Sequence, residues 1–181
     1  MNRSRGSRGG DNEALRQHPT DQLIRNLIAQ GRAPSDAETV DIIDRLSTAQ
    51  FDSRVVSVPE TVRPHAPQGV PRWDALSLHL AQRAAVDSQW ATGVTADMFV
   101  GDLQAAARHP SARIAIYEAR GAPIALVVAD TSDVVPAEHL GAHPEPLLVV
   151  VYSADWGVIV SGYQASSFDR IRIGDNALWL R

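Results

Sequence analysis

Cysteine and lysine are both absent from this chain of 181 residues. Without cysteine there is no disulfide framework, no zinc-thiolate site and no thiol nucleophile, a composition that fits a reducing cytoplasm. No apolar run approaches the roughly 20 residues a helix needs to span a bilayer, so no membrane association is expected. The first ten residues, MNRSRGSRGG, are basic but have no apolar stretch behind them, which excludes a signal peptide. Also missing are a P-loop, a G-x-G-x-x-G turn, a G-x-S-x-G elbow and a zinc-peptidase motif.

All 17 basic residues are arginine. Coding bias explains this on one reading; a preference for planar, phosphate-binding guanidinium groups explains it on another. The formal net charge is -4, which argues against a broad nucleic-acid-coating surface but leaves room for a local basic site. Residues 1–69 carry nine Arg against nine acidic residues, and residues 70–181 carry eight against twelve. The negative excess therefore lies in the second part.

Residues 1–20 read as a flexible basic tail. Residues 21–50 read as a pair of short helices. The first has apolar residues Leu23, Ile24, Leu27 and Ile28 and stops at Gly31. The second starts at Ser35, with Glu38 completing a capping box, and runs through Val40, Ile43 and Leu46. Each stripe is narrow, so the pair should pack on itself, on the rest of the chain or on a partner. Residues 51–72 hold Pro59, Pro64, Pro67 and Pro71 and read as an extended linker.

From Trp73 to Arg181 the pattern predicts one compact α+β domain, two helices packed on a four- to six-stranded antiparallel sheet. The helices are expected over Asp74–Trp90 and from an N-cap at Thr95 to Arg108. Strands are expected at Arg113–Glu118, Pro123–Ala129, Leu147–Tyr152, Val158–Gln164, Phe168–Ile173 and Ala177–Leu180.

Chemistry can sit in few places. On the first domain helix, His79, Arg83 and Asp87 share the face of Trp73, Leu76, Leu80, Val86 and Trp90. An Arg on an apolar face is costly unless it is paired or lines a cleft, so this is either a site or an internal Arg83–Asp87 pair with a hydrogen-bonded histidine. On the strand Val158–Gln164, alternation sends Ile159, Ser161 and Tyr163 to one face, with two hydroxyls flanking Gly162. Arg170 and Arg172 share a face of the next expected strand and suit phosphate, or else simply charge an edge. His109 reads as a helix-terminal cation. His139 and His143 sit near Glu138 and Glu145 without regular ligand spacing, so neither a metal site nor a cofactor is expected.

A helix bearing His and Arg, a second helix, and then V-V-x-Y-x-x-x-x-G-x-I-V-x-G-Y resembles the colicin D/RelE/barnase-like superfamily of ribonuclease toxins. The matching residues are Val150, Val151, Gly157, Ile159, Val160, Ser161, Gly162, Tyr163 and Gln164, with Ser-Gly where the family usually has Thr-Ala. The resemblance implies a helical lead-in to an antiparallel sheet and metal-independent cleavage of RNA, tRNA or mRNA, by attack of a 2′-hydroxyl. It implies His79 as the acid or base, Arg83 with Arg170 or Arg172 on phosphate, Ser161 and Tyr163 orienting it, and Tyr163 or Trp156 stacking a base. A cognate antitoxin or immunity protein and self-association through the N-terminal arm go with that reading. The alternative is a non-catalytic binding module, an immunity protein, antitoxin or phage or secretion adaptor, that engages its partner through the arm.

Overall fold

The computed structural model describes residues 19–66 and 71–181. The tail expected at residues 1–20 falls almost wholly outside the described residues, as does the linker's Pro67. Alternating residues of the sheet build two apolar layers, and the longer helices among the described residues sit on one side of it. Helix α1 is Pro19–Gln30 and α2 is Asp36–Leu46. The α2 start is the expected capping box: Glu38 N donates to Ser35 Oγ and Ser35 N to the Glu38 carboxylate. Ile24, Leu27, Ile42, Ile43 and Leu46 enter the same core as the sheet, so the two helices are part of the folded body.

Residues 51–72, expected as an extended linker, are partly ordered into structure. Strand β1, Val55–Ser57, pairs antiparallel with β2, Arg72–Asp74. Val58, Val62 and Ala66 close a small separate core with Trp73 and Leu78.

The helix expected over Asp74–Trp90 is shorter. α3 spans Ala75–Ala81, capped by Asp74, whose carboxylate accepts from Ser77 N. It then widens into a π-helical turn, Gln82–Val86, in which Asp87 N reaches back five residues to Gln82 O. Ser88 takes φ 56, and the Arg83 carbonyl accepts from both Gln89 N and Trp90 N. A π turn of this kind marks a local break in helical register. Helix α4, Ala96–Arg108, begins at Thr95, whose hydroxyl accepts from Met98 N. A short helix, α5, covers Thr131–Val134.

The main sheet has five antiparallel strands, in the order β6-β5-β4-β3-β7. These are β3 Arg113–Ala119, β4 Ala122–Asp130, β5 Leu147–Ser153, β6 Val158–Ala165 and β7 Leu178–Trp179. Ala119 pairs with Ala122 across the two-residue turn Arg120-Gly121, with φ 51 and 80. Two consecutive positive φ values are the type I′ geometry that matches strand twist, and Gly121 adopts them freely. Helices α1, α2 and α4 cover one face through Ile114, Ile116, Val127, Leu148, Val150 and Tyr152. Tyr117, Leu126, Val128 and Val149 form the other face. Burial on both sides explains why Leu147–Tyr152 is an unbroken apolar run.

The strand expected at Phe168–Ile173 is not formed. Phe168–Arg170 is a 3-10 turn, and the chain crosses the second face with Ile171 buried before β7 joins β3. The physical reason is at β6, whose outer edge is already occupied. Ile159 N donates to Gln50 O, Asp52 N donates to Ile159 O, and side chains serve the positions beyond.

Gly162 in β6 lets α4 approach closely. A Cβ added there would lie 2.5 Å from both terminal methyls of Leu103, itself 1 % exposed. Gly162→Val should therefore cost about 2 kcal/mol, the usual range for overpacking a core, read as a lower urea midpoint. An unchanged midpoint would show that α4 shifts freely.

Candidate functional site

Helix α3 and the edge strand β6 meet where the sequence places His79, Arg83 and Tyr163. Arg83 spans the junction. Its Nε donates to Gly162 O at 2.8 Å, its Nη1 donates to Asp87 Oδ2 at 2.9 Å, and its guanidinium carbon lies 5.6 Å from the Tyr163 ring centre. Gln82 Nε2 binds the other Asp87 oxygen at 3.0 Å. Both the expected Arg83–Asp87 pair and the expected approach of helix to strand are thus present, with Arg83 only 18 % exposed.

His79 is one turn earlier. Its Nδ1 bonds Ala75 O at 2.8 Å. A carbonyl can only accept, so Nδ1 carries the hydrogen and Nε2 carries the lone pair whenever the ring is neutral. The ring packs 5.1 Å from that of Phe51. Burial, the largest influence, pushes the imidazole pKa below its ordinary value; the Ala75 carbonyl opposes this, nearby Arg83 adds to it, and Asp52 opposes it. The ring is consequently neutral at pH 7. The Tyr163 hydroxyl is pushed up by burial and drawn back only partly by Arg83, so it remains a donor.

Strand alternation misplaces one residue. A β-bulge at β6 sets Val151 opposite Ser161 and Tyr152 opposite Ile159, leaving Val160 as the extra residue. Ile159 therefore joins the helix-side core, while Tyr163 packs with the second face. Ser161 and Tyr163 keep their shared side; Ile159 does not.

Arg170 and Arg172 lie on the Tyr163 side of the sheet, whereas His79 packs on the helix side. They belong to the segment that crosses the second face, where Arg172 O accepts from the Tyr117 hydroxyl of β3 at 2.9 Å. Two strands, β4 and β5, lie between β3 and β6, three spacings or roughly 14 Å between strand backbones. Trp156 sits in the β5–β6 turn beneath Arg54, whose guanidinium carbon is 4.5 Å from its ring centre.

Three neighbours had no marker in the sequence. Phe51 and Asp52 run beside β6, and Asp52, 7 % exposed, receives Arg54 Nε at 3.0 Å and Nη2 at 2.7 Å. Burial pushes the Asp52 carboxyl up, but hydrogen bonds from the Arg54 side chain and backbone outweigh that and leave it below the usual range. Further along, Gln89 completes the edge: its Oε1 accepts from Gln164 N and its Nε2 donates to Gln164 O. Only a periodic pattern in residues 50–54 would have flagged a strand-like neighbour, and these residues have none.

His139 and His109 serve the scaffold. His139 Nδ1 bonds Asp102, and His109 Nδ1 bonds Ser111 Oγ at 2.7 Å. Among the described residues no group of three or more His, Cys, Asp or Glu is arranged to hold a metal ion, and no helix is long and apolar enough to cross a membrane. No family model matches the chain, and none of the curated proteins or solved structures with which it was compared is similar to it.

Proposed function

We propose that this chain is a metal-independent endoribonuclease of toxin type, cutting RNA by attack of a ribose 2′-hydroxyl on the adjacent phosphate. The observation that carries the reading is the meeting of Arg83, one turn from His79, with the Gly162 carbonyl and the Tyr163 ring, 79 residues apart where Arg83 bonds Gly162. His79 Nε2 takes the 2′-hydroxyl proton, because its partner nitrogen is committed to Ala75 and burial keeps the ring neutral. Arg83 offers phosphate its Nη2 edge, which bonds no other group among the described residues. Tyr163 and Ser161 donate hydroxyl hydrogen bonds to the phosphate oxygens as charge develops. A reducing cytoplasm, where tRNA and mRNA are abundant, is the compartment that suits this chemistry.

The test is incubation of the purified protein with tRNA in EDTA. Cleavage that persists and leaves 2′,3′-cyclic phosphate ends is expected; intact RNA under all conditions would sink the reading.

A second reading, a non-catalytic module that binds a partner such as a nuclease or an assembly component, is favoured by one observation. Both cations near His79 already hold carboxylates, Arg83 with Asp87 and Arg54 with Asp52. Since α1 and α2 place their large apolar residues other than the exposed Val40 in this chain's own core, such a partner would meet their outer, mainly polar faces. Expression separates the two. The nuclease predicts growth arrest relieved by Arg83→Ala, and the module predicts harmless expression with a stable partner in a pull-down.

A further inference from the structure

Beyond His79 along the β6 edge lies a second arrangement that the reaction above does not use. Arg54 is held in a plane from two directions. Its Nε and Nη2 grip the buried Asp52 carboxylate, and one face of the guanidinium lies over the Trp156 ring at 4.5 Å. Asp52 is itself fixed, because its N–H donates to Ile159 O at 2.8 Å. Trp156 is fixed by the β5–β6 turn, where its N–H donates to Ser153 Oγ at 3.2 Å. Yet the Arg54 side chain is 52 % exposed. A cation that needed only neutralising would be served by Asp52 alone. Here it also lies over an indole while half of the side chain stays exposed.

We infer that Arg54, stacked on Trp156 and anchored by Asp52, is a base-stacking platform for a nucleotide next to the one cleaved. A guanidinium plane backed by an aromatic ring is a surface on which an unpaired base stacks, and stacking of this kind is open only to single strands. The platform is linked to the reacting group through one residue, since Phe51, adjacent to Asp52, packs on His79. From Ile159, beside Asp52, to Gly162, beside Arg83, is three strand residues, about 10 Å. The two guanidinium groups therefore lie along one edge with His79 near the span between them. This places the substrate class as single-stranded RNA, and it assigns to Arg54 a supporting position on the His79 side of the β6 edge. The inference rests on the ribonuclease reading for its choice of ligand.

Electrostatics sharpen it. Each cation carries its own carboxylate, so few counterions are released on binding and affinity comes mainly from stacking. The slope of log K against log salt should be about -1 or shallower, against much steeper values for proteins that neutralise many phosphates.

The experiment uses a fluorescent 2′-O-methyl RNA hexamer, which cannot be cleaved by 2′-hydroxyl attack, and its duplex form, with binding read by anisotropy. Wild type should bind the single strand about tenfold more tightly than the duplex. Arg54→Lys, which keeps the charge and loses the plane, and Trp156→Leu should each weaken single-strand binding about tenfold while the circular dichroism spectrum is retained. Equal affinity in Arg54→Lys and wild type, equal affinity for duplex and single strand, or no binding by wild type would overturn the platform. Cleavage of tRNA is scored in parallel. RNA left uncut with Arg54-dependent binding intact would remove the nuclease and keep the platform; RNA cut with KM unchanged in Arg54→Lys would remove the platform and keep the nuclease.

Discussion

Asp102→Ala should lower the free energy of unfolding by about 3–4 kcal/mol. The carboxylate is 5 % exposed and faces two donors, the buried Trp90 Nε1 at 3.1 Å and the partly buried His139 Nδ1 at 2.9 Å. It ties three segments together: α4, the turn after the π helix, and the loop before β5. Trp90 is fully buried, packs edge-on against Phe99 at 4.9 Å, and bridges to Leu140; Ala91 N donates to His139 O. Alanine would leave the buried Trp90 donor and the partly buried His139 donor without this acceptor, and each such loss costs about 1–3 kcal/mol. For a chain of this size the melting temperature should fall by about 10 °C. Asparagine retains one acceptor oxygen and should recover only part of the loss. A fall of less than about 1 kcal/mol for Asp102→Ala in urea unfolding would show that the tie contributes little.

The second large effect is on activity. If His79 is the base, His79→Ala should reduce RNA cleavage about a hundredfold to ten-thousandfold, the usual contribution of a positioned general base. The pH profile gives an independent check. Because burial lowers the folded-state pKa of His79, kcat/KM should rise with pH to a midpoint below 6.5 and then level off. The same depression favours the neutral ring in the fold. Stability is therefore fully present above about pH 6.5 and falls as the pH drops through the lowered value. An ascending limb centred above 6.5, or an unchanged limb in His79→Gln with activity retained, would remove His79 from the role.

Local rules made much of the fold readable. The Ser35–Glu38 capping box, the Thr95 cap and the Arg120-Gly121 turn are decided by residues close in sequence, and each starts or joins an element where the chemistry demands it. The unbroken apolar run at Leu147 to Tyr152 marked an interior strand. What escaped depends on distant partners. Periodicity continued the helix to Trp90, but it cannot report that Arg83's carbonyl would take two N–H groups and break the ladder. Alternation at Phe168–Ile173 fits a strand and fits equally a segment lying across a sheet with Ile171 beneath it. The bulge at Val160 exchanges faces within a strand whose pattern is otherwise regular. In the candidate site, His79, Arg83 and Tyr163 stood out as polar groups on apolar elements. Asp52 and Arg54 looked like linker, because nothing near them in sequence indicates that they run beside β6.

The outer edge of β6 is finished almost entirely by side chains and a short parallel bridge: Phe51 at Ile159, Arg83 at Gly162, Gln89 at Gln164. Such an edge exposes no strand that a second molecule can extend, and that protection depends on residues belonging to the proposed site. An inactive Arg83→Ala protein would also bare the Gly162 carbonyl and invite edge-to-edge pairing between copies. Loss of cleavage and gain of self-association should then appear together, so a sedimentation profile belongs beside every activity measurement on that variant.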